Sequence, residues 1–115
     1  MTIRDERRKA LAEIRSAKAE INNQRFTAGI TDEQRDKLEE SLLALKKIER
    51  QLITDIKKEL ISKLKTDSKP LKELSEKIKE STEKLNVVAK KIEKAAIAIE
   101  ILIKAVEKGI SSGLL

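Results

Sequence analysis

From Leu71 to Val106 the chain steps forward by three and then four residues without a break in the pattern: Leu71, Leu74, Ile78, Ser81, Leu85, Val88, Ile92, Ala95, Ile99, Leu102 and Val106. Apart from Ser81 and Ala95, every position on that line is a large aliphatic residue. A 3.5-residue repeat is slightly tighter than the 3.6 residues per turn of a free α-helix. A helix that keeps it must face a partner along its length, in coiled-coil-like packing.

Composition agrees with that reading. Charged residues make up 40% of the 115 residues and aromatics 1%, the single aromatic being Phe26, so aliphatic side chains must supply nearly all of the hydrophobic driving force. Abundant Ala, Glu, Lys, Leu and Arg at helical spacing is the mark of long helices. So much charge is also compatible with disorder, but ordered aliphatic stripes argue against it. A chain of this length is one domain at most, spanning 1–115, with a modest core.

The first helix is expected over about residues 3–25, with a thin stripe of Ile3, Ala10, Ile14, Ala17 and Ile21 and with Leu11 beside it. Ala28-Gly29 ends it, and Phe26 is expected to fold back as a plug. Thr31 then reads as an N-cap, with acids Asp32 and Glu33 in the first turn and Gln34 completing a capping box. The second helix is expected over about 32–65. Its apolar set from Leu38 to Leu64, which includes Ile56, is broad enough to touch two neighbours.

Thr66-Asp67-Ser68-Lys69-Pro70 reads as a break: a residue before proline is pushed out of the α region, and proline suits the first turn of a new helix. Asp67 or Ser68 would cap a third helix over about 70–108, with Gly109 just beyond its end and a flexible tail over 109–115. The fold expected is therefore all-α: a three-helix arrangement in which helices 2 and 3 form a long antiparallel coiled-coil-like hairpin and a shorter N-terminal helix packs along it.

The net charge is +6, but basic and acidic residues are interspersed throughout. Many fall as acid-then-base pairs four apart: Asp5–Lys9, Glu33–Lys37, Glu59–Lys63, Glu73–Lys77, Glu80–Lys84 and Glu100–Lys104. Such spacing suits ion pairs along a solvated helix face. The densest basic cluster, Arg4, Arg7, Arg8 and Lys9, is diluted by Asp5 and Glu6, and there is no aromatic platform for stacking bases. Nucleic acid is therefore an unlikely partner.

Chemistry finds little purchase. The chain has no His, Cys, Tyr or Trp, which removes the usual general base, the thiol nucleophile, disulfides and thiolate metal sites. Three glycines leave no phosphate-cradling loop. Carboxylates three apart, Glu73 with Glu76 and Glu80 with Glu83, read as surface acids rather than metal ligands. No enzyme activity, cofactor, metal or small-molecule substrate is expected. The N-terminal residues are charged and lack the apolar core of a signal peptide, and no stretch approaches the roughly 20 apolar residues of a bilayer span. The expectation is a soluble chain in the cytoplasm.

Two features stand out from this background. Between Ala95 and Val106, only Glu100 and Lys104 are polar. Ile97, Ile101 and Ile103 lie off the heptad line, so this end of the helix is apolar nearly all round and should meet something outside its own seam. The second is Ser81, a polar residue on the seam, whose simplest account is a hydroxyl bonded back to its own helix. The functional expectation is a non-enzymatic protein–protein interaction or assembly module, self-associating into a homo-oligomer through Ile97, Ile101, Ile103 and Ile110. The alternative is a membrane-active helical protein, a toxin component or cell-death module, that engages lipid through residues 95–115.

Overall fold

The computed structural model describes residues 2–54 and 60–113. It is all-helical and compact, with four α-helices and no strand among the described residues. Helix α1 spans Ile3–Gln24, α2 Asp32–Ile53, α3 Leu60–Ser81 and α4 Asn86–Ser111, with a short 3₁₀ turn at Glu83–Leu85 before α4.

Local chemistry sets several of these boundaries. Thr2 caps α1 and Thr31 caps α2, each in a full capping box, closed by Asp5 and Gln34 respectively. Between α1 and α2 the chain turns at Gly29, whose φ of +90° favours glycine. Phe26 is not a plug in this turn. It is 69% exposed, and the Arg25 guanidinium lies 4.8 Å from its ring centroid. Thr54 closes α2 in an extended conformation, its hydroxyl donating to the Gln51 carbonyl.

Neighbouring helices run antiparallel. Arg7 donates to the Ile53 carbonyl while Arg35 donates to that of Arg25, so opposite ends of α1 and α2 meet. Gln51 donates to Asp67 across α2 and α3. Lys65 pairs with Glu107 and Lys72 with Glu100 across α3 and α4. Lys91 donates to Ser16 between α4 and α1, closing the ring. The cross-section is 21 × 21 Å, the width of two helices packed on two. The most extensive interface, α1 on α4, is rich in buried alanines: Ala10 and Ala17 on one side, Ala95 and Ala98 on the other. Small side chains let the helix axes approach closely.

The principal correction to the sequence reading concerns where the chain breaks. Helix α3 runs straight through Pro70. The long hairpin of two helices meeting at residues 66–70 is replaced by shorter helices turning after Ile53 and again at Ser81–Leu85. Continuity at Pro70 leaves the Thr66 carbonyl without its helical donor, but Thr66 and Pro70 are both exposed, so water can satisfy it. Packing offsets the remaining cost: Ile61, Leu64, Leu71, Leu74 and Ile78 of α3 are all buried. Asp67 and Ser68 accordingly cap nothing. Asp67 accepts from Gln51 and pairs with Lys47, and the Ser68 hydroxyl donates to the Lys65 carbonyl.

The break at Ser81–Leu85 has its own chemistry. Ser81 donates back to the Ile78 carbonyl, as its position on the seam suggested, and Thr82 is extended and caps the 3₁₀ turn through the Lys84 amide. Every seam residue from Leu71 to Val106 except Ser81 is buried. The periodicity continues across the turn because α3 and α4 each present their half of the line to one shared core.

Gly109 is not a terminus. It is buried within α4, and the glycine beyond the helix end is Gly113, with φ of +76°. The expectations for Ile56 and for the Glu59–Lys63 pair lie outside the described residues.

Candidate interaction surface

The apolar stretch from Ala95 to Val106 divides between two fates. Ala95, Ala96, Ala98, Ile99, Leu102, Ile103 and Val106 are buried, because α4 packs on α1 along one flank and on α3 along the other and so has a wide arc to cover. Ile97 and Ile101 remain outside, 41% and 40% exposed. The structure thus brings two of the four anticipated contact residues together and separates the others. Ile103 is a core residue on the α3 flank, beside Ala96 and Glu100. Ile110 is half-buried against the core at the far end of α4, next to Ile61.

Ile97 and Ile101 form part of a shallow groove between α4 and α1 that is completed by Ala98, Lys94, Lys9 and Glu13. Of the other large exposed apolar residues, Phe26 lies in the turn after α1, Leu43 and Ile53 lie ten residues apart on α2, and Val87 lies in the first turn of α4. Among the described residues, only Ile97 and Ile101 of this exposed set sit one turn apart on a single helix face.

The surroundings of the two isoleucines are basic. Lys90, Lys94, Lys104 and Lys108 are all exposed, and with Ile97 and Ile101 they fall in an arc of about 80° at 100° per residue. None of these lysines forms an ion pair among the described residues. The fold accounts for this. Glu100 was expected to pair with Lys104 one turn on, but it is held instead by Lys72 of α3 at 3.0 Å, and Glu107 is held by Lys65. Tertiary pairing therefore engages two of the three acids of α4, Glu100 and Glu107, on its α3 flank, where Glu93 also lies, and leaves the outward lysines without ion-pair partners among the described residues.

Among the described residues, five of the seven ion pairs join different helices, and Arg35–Asp32 and Lys37–Glu40 lie three apart within α2. Among the described residues, no pair of the expected four-apart set forms. The best-developed cluster is Glu49 of α2, which accepts from Lys18 at 2.6 Å and from Arg15 at 3.0 Å, both on α1. The Lys18 hydrogen bond, reinforced by Arg15, holds the Glu49 carboxyl below its ordinary value against the opposing effect of burial. This cluster clamps α1 to α2.

The lysines of the outward line are legible in the sequence, where their spacing also suits a solvated helix face. Positions 90, 94, 97, 101, 104 and 108 repeat the three-and-four spacing of the buried seam on the opposite side of the same helix. That second line was the available signal. Among the described residues no helix is long and apolar enough to cross a membrane. Comparison with protein-family models, with curated proteins and with solved structures finds no match for this chain.

Proposed function

We propose that the protein is a non-enzymatic helical interaction or assembly module that presents the outward face of α4 to a partner. The observation that carries the reading is the pair Ile97 and Ile101, left about 40% exposed one turn apart on a helix whose other large apolar residues past Val87 are covered or half-covered. Coiled-coil-like packing of α3 on α4 belongs to the same proposal. It would make α4 a stiff rail, and a rigid helix face loses little conformational entropy on docking. The absence of His, Cys, Tyr and Trp from the sequence supports a role without catalysis.

The test combines selection with mass measurement. A displayed library of helical peptides is selected on the wild-type chain and counter-selected on the double variant Ile97→Asp/Ile101→Asp, while light scattering follows the mass of both proteins. The expected result is enrichment of peptides that need the two isoleucines, or a wild-type mass above 13.0 kDa that the variant loses. A monomer that yields no isoleucine-dependent peptide overturns the reading.

A further inference from the structure

The outward line of α4 reads Lys90, Lys94, Ile97, Ile101, Lys104, Lys108, and all six residues are exposed. We propose that this line docks an acidic amphipathic helix of another protein, a deepening that rests on the interaction reading above. The partner's chemistry follows from three observations.

The first is charge. The line carries four lysines without an ion pair among the described residues and contains no acid of its own. Of the three acids on one side of it, Glu93, Glu100 and Glu107, the last two are engaged by Lys72 and Lys65. On the other side Glu13 lines the groove together with two lysines, Lys9 and Lys94. A partner supplying carboxylates at both ends of its contact is complementary, and such complementarity sets specificity and association rate.

The second is symmetry. The line is a palindrome about position 99: an antiparallel second copy would set Lys90 against Lys108, Lys94 against Lys104 and Ile97 against Ile101. Two such α4 helices would gain contact between isoleucines and place like charges opposite one another at every other position. A second copy is therefore the wrong occupant for this line. An acidic helix meets lysines at both ends in either orientation.

The third is shape. Lysines and isoleucines lie along one axial line with three-and-four spacing, beside a concave groove against α1. That spacing matches the repeat of a second helix laid alongside. A helix that lies on lipid instead presents a wide apolar arc with its lysines at the margins. The docked segment would carry two consecutive apolar core positions, one turn apart, with glutamate or aspartate one and two turns to either side.

The test uses a synthetic peptide of about 20 residues with that pattern, labelled at one end, and a scrambled peptide of the same composition. Binding is followed by fluorescence anisotropy and by amide chemical shifts of the full chain. The expected result is saturable binding of the patterned peptide, with shifts along α4 from Lys90 to Lys108. Ile97→Ser/Ile101→Ser abolishes it, and Lys94→Glu/Lys104→Glu weakens it by about tenfold or more. The equal charge change Lys63→Glu/Lys77→Glu, at exposed positions of α3 that border α2, leaves it within about threefold.

Equal binding of the scrambled peptide, or equal loss in the α3 variant, means diffuse attraction to a basic protein and overturns the proposal. Anionic phosphatidylglycerol vesicles shifting the same amides, with no peptide bound, overturn the acidic helix while leaving α4 as the interaction surface. So does a doubled mass that depends on Ile97 and Ile101. If peptide, vesicle and second copy all leave the α4 amides unmoved, the interaction reading fails along with the inference.

Discussion

Replacing Pro70 with alanine is expected to stabilise the protein by about 2–3 kcal/mol, close to the cost of proline relative to alanine inside a helix. In the structure Pro70 sits near the middle of α3, ten residues past Leu60 and eleven before Ser81. Its ring removes the donor that the Thr66 carbonyl would use, and it disfavours the helical conformation that Lys69 nevertheless adopts. Because Pro70 is exposed, the change removes no core contact. The extra backbone freedom of the unfolded alanine variant opposes the gain by about 0.4–1 kcal/mol and does not reverse it. In thermal unfolding followed by circular dichroism, a gain of this size raises the Tm by roughly 10 °C for a chain of this length. Amide exchange supplies an independent reading, since the new N–H at position 70 should be protected by a bond to the Thr66 carbonyl. A Tm that stays level or falls, with a rapidly exchanging amide at position 70, would contradict a continuous α3. It would mean that proline occupies the first turn of a separate helix, where it is well tolerated.

Three further expectations separate the core from the surface. Ile103→Ala should cost about 2–4 kcal/mol in urea unfolding, whereas Ile101→Ser should cost no more than about 0.5 kcal/mol; equal costs would mean that the two faces of α4 have been assigned wrongly. Thr31→Ala should cost about 1 kcal/mol through loss of the α2 capping box, and a silent substitution would show that this box contributes nothing. Glu49→Gln should destabilise by about 1 kcal/mol at neutral pH. Because the Lys18 bond lowers the folded-state pKa of Glu49, that contribution is fully present above the ordinary value of 4.5 and is lost as the pH falls below it. Wild type and variant should therefore converge in acid, and a difference that persists there would locate the effect in packing instead of charge.

The helical class and the identity of most core residues follow from residue spacing alone. Ala10, Ile14, Ala17 and Ile21 of α1, and every seam residue from Leu71 to Val106 apart from Ser81, are buried as their spacing required. Periodicity reports burial directly, because a residue's angle around its helix follows from its number alone. The Thr31 capping box was equally legible, since a cap is settled by residues within one turn. Where α2 and α3 end, and which charges pair, depends on how the helices pack. A three-and-four line runs unbroken through the turn at Ser81–Leu85, because both helices address the same core. Pro70 inside α3 is tolerated because five buried aliphatics outweigh a missing hydrogen bond that solvent can repair. Glu100 abandons its neighbour Lys104 for Lys72 because packing α3 against α4 brings that lysine within reach. Sequence spacing ranks the partners within one helix; a carboxylate chooses among all the cations that the fold carries to it, and that choice leaves the outward lysines of α4 unpaired.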